Sequence, residues 1–161
     1  MIHIRLLGAA AAGAALCAAA ACQHQMRTST MGGTVAPGGS SYDVQVWTGN
    51  KRSDVPFPTQ RVAMSLRWAE SDEGLASWNE GFASNTQARQ TVRVDHPHGM
   101  LRAVRVTLDG DPNQTGPALL VDSVGVTSAA SGVRYVCVNN GTSATASIRP
   151  GASSDLHCRK E

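Results

Sequence analysis

From Tyr42 onward, apolar and polar positions alternate along the chain. Tyr42, Val44 and Val46 are separated by Asp43 and Gln45; Val62, Met64, Leu66 and Trp68 are separated by Ala63, Ser65 and Arg67. A period of two puts one face of an extended segment in a core and the other in water. The same signal returns at Val92 and Val94, at Val104, Val106 and Leu108, in the run Leu119-Leu120-Val121, at Val124 and Val126, at Val133, Tyr135 and Cys137, and at Ala146 and Ile148. Turn formers separate these runs: Gly49-Asn50, Pro56-Phe57-Pro58, His96-Pro97-His98-Gly99, Asp109-Gly110-Asp111-Pro112, Ser131-Gly132, Asn139-Asn140-Gly141 and Pro150-Gly151.

About eight short strands at close spacing predict an all-β domain, an antiparallel β-sandwich or small β-barrel, over residues 42–161. A hairpin is expected from Tyr135 through Asn140-Gly141 to Ile148. Between Ser71 and Gln90 the alternation is lost. There Leu75, Trp78 and Phe82 fall at a spacing that fits one face of a short helix, and a long loop fits equally well.

The first 22 residues carry a different pattern. Arg5 precedes Leu6 and Leu7, an Ala- and Gly-rich stretch follows, and the run ends at Ala19-Ala20-Ala21-Cys22. A cationic start, an apolar middle and small residues at the cut form a secretory signal. It is a poor membrane span, being short and built mainly of alanine. Small residues directly before Cys22 resemble the lipobox of bacterial lipoproteins. The resemblance implies removal of residues 1–21, acylation of Cys22, and placement in the outer membrane or periplasm as an envelope protein. Residues 23–41, with Gly32-Gly33 and Pro37-Gly38-Gly39, have few large apolar side chains and are expected to act as a flexible tether behind the anchor.

Charge narrows the choice of partners. With 14 basic and 12 acidic residues spread along the chain, no long-range field for nucleic acid is expected. Cys17 is expected to leave with the signal, and Cys22 is the anchor that the lipobox resemblance implies, or simply follows the cut of an ordinary signal peptidase, so Cys137 and Cys158 are left in the domain. In an oxidising compartment they are expected to form a disulfide that pins the C-terminus.

Candidate chemistry is sparse. The sequence contains no nucleophile elbow, no His-Glu-x-x-His and no phosphate loop, so a non-catalytic domain without a cofactor is expected, binding an envelope protein or a glycan. His96 and His98 are placed to share a metal ion, yet two imidazoles are only half of a site, and a polar turn is the favoured reading. Asp109, Asp111 and Asn113 begin like a calcium loop that lacks its glycine and its closing glutamate, leaving a plain turn. Trp68 is in phase with the core. Trp47 is out of phase with Val44 and Val46, and Trp78 lies in the irregular segment, so these are the indoles available to stack on sugar rings. Residues 116–124 are similar to the closing strands of jelly-roll sugar-binding modules.

Ser131-Gly132-Val133-Arg134-Tyr135 resembles the Ser-Gly-x-x-Tyr motif of the periplasmic and membrane-bound inhibitors of c-type lysozyme. These are small β-barrel domains, often lipoproteins. The resemblance implies that Ser131 enters the lysozyme cleft, that Gly132 and Tyr135 shape its loop, and that a basic side chain such as Arg134 or Arg149 approaches the catalytic carboxylates.

Overall fold

The computed structural model describes residues 28–29, 39–49, 57–83, 85–95, 99–142 and 144–161. Strands β1 (Thr28–Ser29), β2 (Ser40–Thr48), β3 (Val62–Trp68), β4 (Asp72–Trp78) and β5 (Gln87–Val94) are followed by β6 (Leu101–Leu108), β7 (Leu119–Ser128), β8 (Arg134–Asn139), β9 (Ala146–Ile148) and β10 (Ser153–Lys160). No helix occurs among the described residues. One sheet runs in the order β1-β5-β2-β7-β8-β10-β6-β3-β4, with β9 added to β7. Every pairing is antiparallel except the short parallel pairing of β1 on β5.

The sheet curls until β4 lies alongside β5 without a ladder between them. Gln90 bridges this seam: its Oε1 accepts the Ser77 N–H at 2.6 Å. Of the two architectures expected from the alternation, the chain forms the nearly closed barrel. Its interior is the inward phase of each strand. Val44 and Val46 of β2, Met64 and Leu66 of β3, Val104 and Val106 of β6, Val124 and Val126 of β7, and Leu156 of β10 are all fully buried.

Aromatic rings close both ends. Trp68, at the end of β3, sits between Tyr42 (ring centroids 5.1 Å) and Tyr135 (6.5 Å), and its indole N–H donates to the Glu73 carbonyl. Trp78, paired with Val62 at the opposite end of β3, meets Phe82 edge-on at 5.1 Å. Burial raises the Tyr42 phenol above its ordinary range, with Tyr135 adding to the effect. Cys137 and Cys158, directly opposite each other on β8 and β10, form the expected disulfide.

Two local expectations are corrected. The irregular segment forms neither helix nor free loop: Asp72–Trp78 is strand β4, and β5 begins at Gln87. Its pattern is obscured because the apolar Leu75 faces water, 58% exposed, while only Ala76 and Trp78 turn inward at the end of the strand. The hairpin from Tyr135 to Ile148 does not form. Both edges of β8 are already taken, by β7 and β10, so β9 has no edge of β8 to return to. Asn140 and Gly141 make their turn at φ 48° and 69°, and β9 then continues along β7, pairing Leu119–Val121 where β8 leaves off.

Candidate functional site

The outer face of the barrel has a distinct layout between β2 and β10. Outward positions of β2 are Asp43, Gln45 and Trp47, out of phase with the buried valines. Neighbouring β7 presents Ser123 and Gly125 outward, and β8 presents Val136 and Val138. On β10 the outward residues are Asp155, His157 and Arg159. Register aligns them across the strands: Trp47 pairs with Ser123, Ser123 with Val138, Val138 with His157, and His157 with Ala103 of β6. One row over, Gln45 pairs with Gly125, Gly125 with Val136, and Val136 with Arg159.

Gly125 is needed for this surface. A Cβ built there would lie 2.9 Å from Cζ3 and 3.0 Å from Cη2 of Trp47. The Cζ3–Cη2 edge of the Trp47 indole therefore closes on the bare glycine backbone, and the ring is half-buried. Gln45 Nε2 donates to Gln87 Oε1 at 3.2 Å beside it. Among the sequence candidates for ring stacking, Trp47 keeps its place on the surface, whereas Trp78 is buried and belongs to the barrel end.

Beyond β10 the face becomes charged. Asp155 accepts from Arg105 Nε and Nη2 at 2.8 and 2.9 Å and from Arg67 Nη1 at 3.1 Å; Arg67 also reaches Asp72. The Arg105 hydrogen bonds hold the Asp155 carboxyl below its ordinary range, against a smaller opposing effect of burial. Next to this network is an open depression of about 570 Å³, lined by Arg67, Ser71, Arg102, Ala103 and His157 among others. Arg102 projects into it because it is the extra residue of a bulge: Arg67 pairs with Ala103 and Trp68 with Leu101, leaving Arg102 unpaired in the register.

The remaining sequence candidates are dispersed. Ser131 and Gly132 are exposed in the turn between β7 and β8, with Gly132 at φ 70°. The Ser131 amide donates to Ser128 Oγ at 3.2 Å, and Ser131 Oγ accepts from the Val133 amide at 3.4 Å. Arg134 is exposed and pairs with Glu161 at 3.3 Å. Arg149 is exposed just after β9. Tyr135 does not shape the Ser131 loop with its ring, which is buried against Trp68. Asp111 forms a plain turn in which its Oδ1 accepts the Asn113 amide at 2.8 Å. His96 and His98, like Cys22 and residues 1–21, lie outside the described residues. Among the described residues no group of three or more potential ligands is placed to hold a metal.

Sequence reasoning singled out Trp47, and named His157 only as a residue that could complete a metal site with His96 and His98, but it missed Arg102 and Arg159. Nothing in their local sequence marks them, because they lie on different strands and meet only through register.

No protein-family model matches the chain, and no curated protein matches it in sequence. Solved structures do match in shape. A crystal structure of a Delta413-417:GS I805W LOX superposes with a TM-score of 0.57 at 17% identity, over 75% of this chain and 16% of that one. A Delta413-417:GS LOX in complex with arachidonate gives 0.56 at 16% identity, over 74% of this chain and 16% of the other. The chain thus spans about a sixth of the length of these proteins, and the likeness is one of fold.

Proposed function

We propose that this chain is an exported, non-catalytic binding domain of a bacterial envelope, tethered through lipid on Cys22, and that it binds glycan on the outer face of β2 and β7. The observation that carries the glycan reading is the half-buried Trp47 indole on the outward face of β2, its edge seated against Gly125. A half-buried indole, fixed at its Cζ3–Cη2 edge by the glycine beside it, offers a sugar ring an apolar contact that is already in place before binding. Gln45 and Gln87 beside it supply amides for sugar hydroxyls.

The test is calorimetric titration of the full chain with chitohexaose, in a detergent lacking a sugar headgroup. Trp47→Ala is expected to weaken binding about tenfold, in line with about 1.4 kcal/mol for a lost aromatic stack. Unchanged affinity in Trp47→Ala would remove the platform. Lipidation is tested separately: labelling with an alkyne analogue of palmitate should mark the chain in cells and should vanish in Cys22→Ser.

A second reading is supported by the exposure of Ser131 in the turn before β8, whose first residue is the exposed Arg134. It holds that this turn inhibits c-type lysozyme. Dose-dependent loss of muramidase activity, relieved by Ser131→Ala, is the expected result; full muramidase activity at high micromolar protein would end it.

A further inference from the structure

We infer that the ligand of this face is an acidic oligosaccharide, lying across the strands from Trp47 to the cations of β10 and β6. This rests on the glycan reading above and names the class of glycan. Three features of the outer face combine. Trp47 forms an aromatic edge on β2. Ser123 and Gly125 on β7, with Val136 and Val138 on β8, form a floor of short side chains two strands wide. His157 and Arg159 on β10, followed by Arg102 at the β6 bulge, form the opposite edge. Steps of about 4.8 Å between strands put this second edge about 14 Å from Trp47, a reach suited to a short oligosaccharide rather than to one ring.

The charge on the second edge is what selects an acidic ligand. Arg67 and Arg105 are already neutralised by Asp72 and Asp155. Arg102 and Arg159, in contrast, have no carboxylate partner among the described residues. Glu70 lines the depression together with Arg102 and His157, while Arg159 stands outside it in the outward row of β10, so the two guanidiniums outnumber this carboxylate. Two guanidiniums left without partners next to an apolar floor are donors matched to carboxylate oxygens, which they can engage through paired N–H groups. A neutral glycan would use the Trp47 end and leave these donors to water.

The test compares two hexasaccharides that share N-acetylglucosamine: chitohexaose, which is neutral, and a hyaluronan hexamer, in which it alternates with glucuronate. Each is titrated into the full chain in the same detergent at low and high salt. The expected result is at least about tenfold tighter binding of the hyaluronan hexamer at low salt, a preference that shrinks as salt rises. Arg102→Gln with Arg159→Gln should abolish the preference, bringing hyaluronan-hexamer affinity down to that of chitohexaose, while Trp47→Ala weakens both ligands. Equal affinity for the two ligands, or a preference untouched by the arginine variant, would overturn the acidic assignment and leave the Trp47 platform standing. Binding of neither hexasaccharide would overturn the platform itself and the acidic assignment with it.

Discussion

Gly125 and Trp47 show how much of this surface rests on single atoms. With hydrogen at the glycine Cα, the edge of the indole can close on the β7 backbone; a methyl group there would stand 2.9 and 3.0 Å from Cζ3 and Cη2. Gly125→Ala should therefore lift or rotate the Trp47 ring at the free end of its side chain. A loss of several-fold in chitohexaose affinity is expected, with a stability cost of about 1 kcal/mol or less, because the ring can swing outward to relieve the overlap. Calorimetry of binding and thermal melting of the same variant separate these effects. A variant that binds as the native chain does would show that the ring position is not what matters. Gln90 plays a comparable role inside the barrel. It occupies an inward position between Ala88 and Val92, where the alternation calls for an apolar residue, and spends its amide oxygen on the Ser77 N–H across the seam.

Among the elements, the C-terminal strand carries the most. β10 lies between β8 and β6, so the last strand in sequence is an interior member of the sheet. Asp155 ties it outward to β6 and, through Arg67, to β3. Because the folded state holds the Asp155 carboxyl below its ordinary value of 3.8, the pair contributes stability that is fully present above that value. That contribution is lost as pH falls through the lower, folded-state value. Asp43 follows the same sign: burial pushes its pKa up, but hydrogen bonds from Thr91 and Arg89 outweigh burial and lower it. Asp155→Asn is expected to cost about 1–2 kcal/mol at neutral pH, leaving Arg105 without its carboxylate partner and Arg67 with Asp72 alone. It should also flatten the fall in melting temperature between about pH 5 and pH 2. Melting curves across that range check it; a variant with the native acid sensitivity would assign the loss to other carboxylates.

For the whole molecule, the disulfide joins neighbours that are 21 residues apart in sequence and links β8 to β10, near the middle of the strand order. By the loop-entropy relation, a cross-link of that span contributes about 3 kcal/mol. Cys137→Ala with Cys158→Ala should move the denaturant midpoint down accordingly, and adding reductant to the native chain should do the same. A midpoint that stays put in both would mean that the ladder alone holds β10. The barrel would keep its strand order, since the register on both sides of β10 is fixed by backbone hydrogen bonds and by Leu156 in the core.

How far the fold was legible varies along the chain for physical reasons. Alternation at Tyr42–Val46, Val62–Trp68 and Val104–Leu108 is local: each strand shows its core face in its own residues, and the structure buries those positions. The disulfide was legible by elimination among the cysteines. β4 was not, because its exposed Leu75 and its Gly74, at φ 84°, break the pattern within the strand. The β8–β9 region was misread because a turn motif states only that the chain bends, and which edge the next strand joins depends on edges already occupied by β7 and β10. Trp47 could be singled out by its phase. That its ring edge meets Gly125, in a row that continues through Ser123 and Val138 to His157, was decided only by tertiary structure. Strand identity is written in spacing along one segment; a surface built across β2, β7, β8, β10 and β6 is written in register, which exists only once the strands have paired.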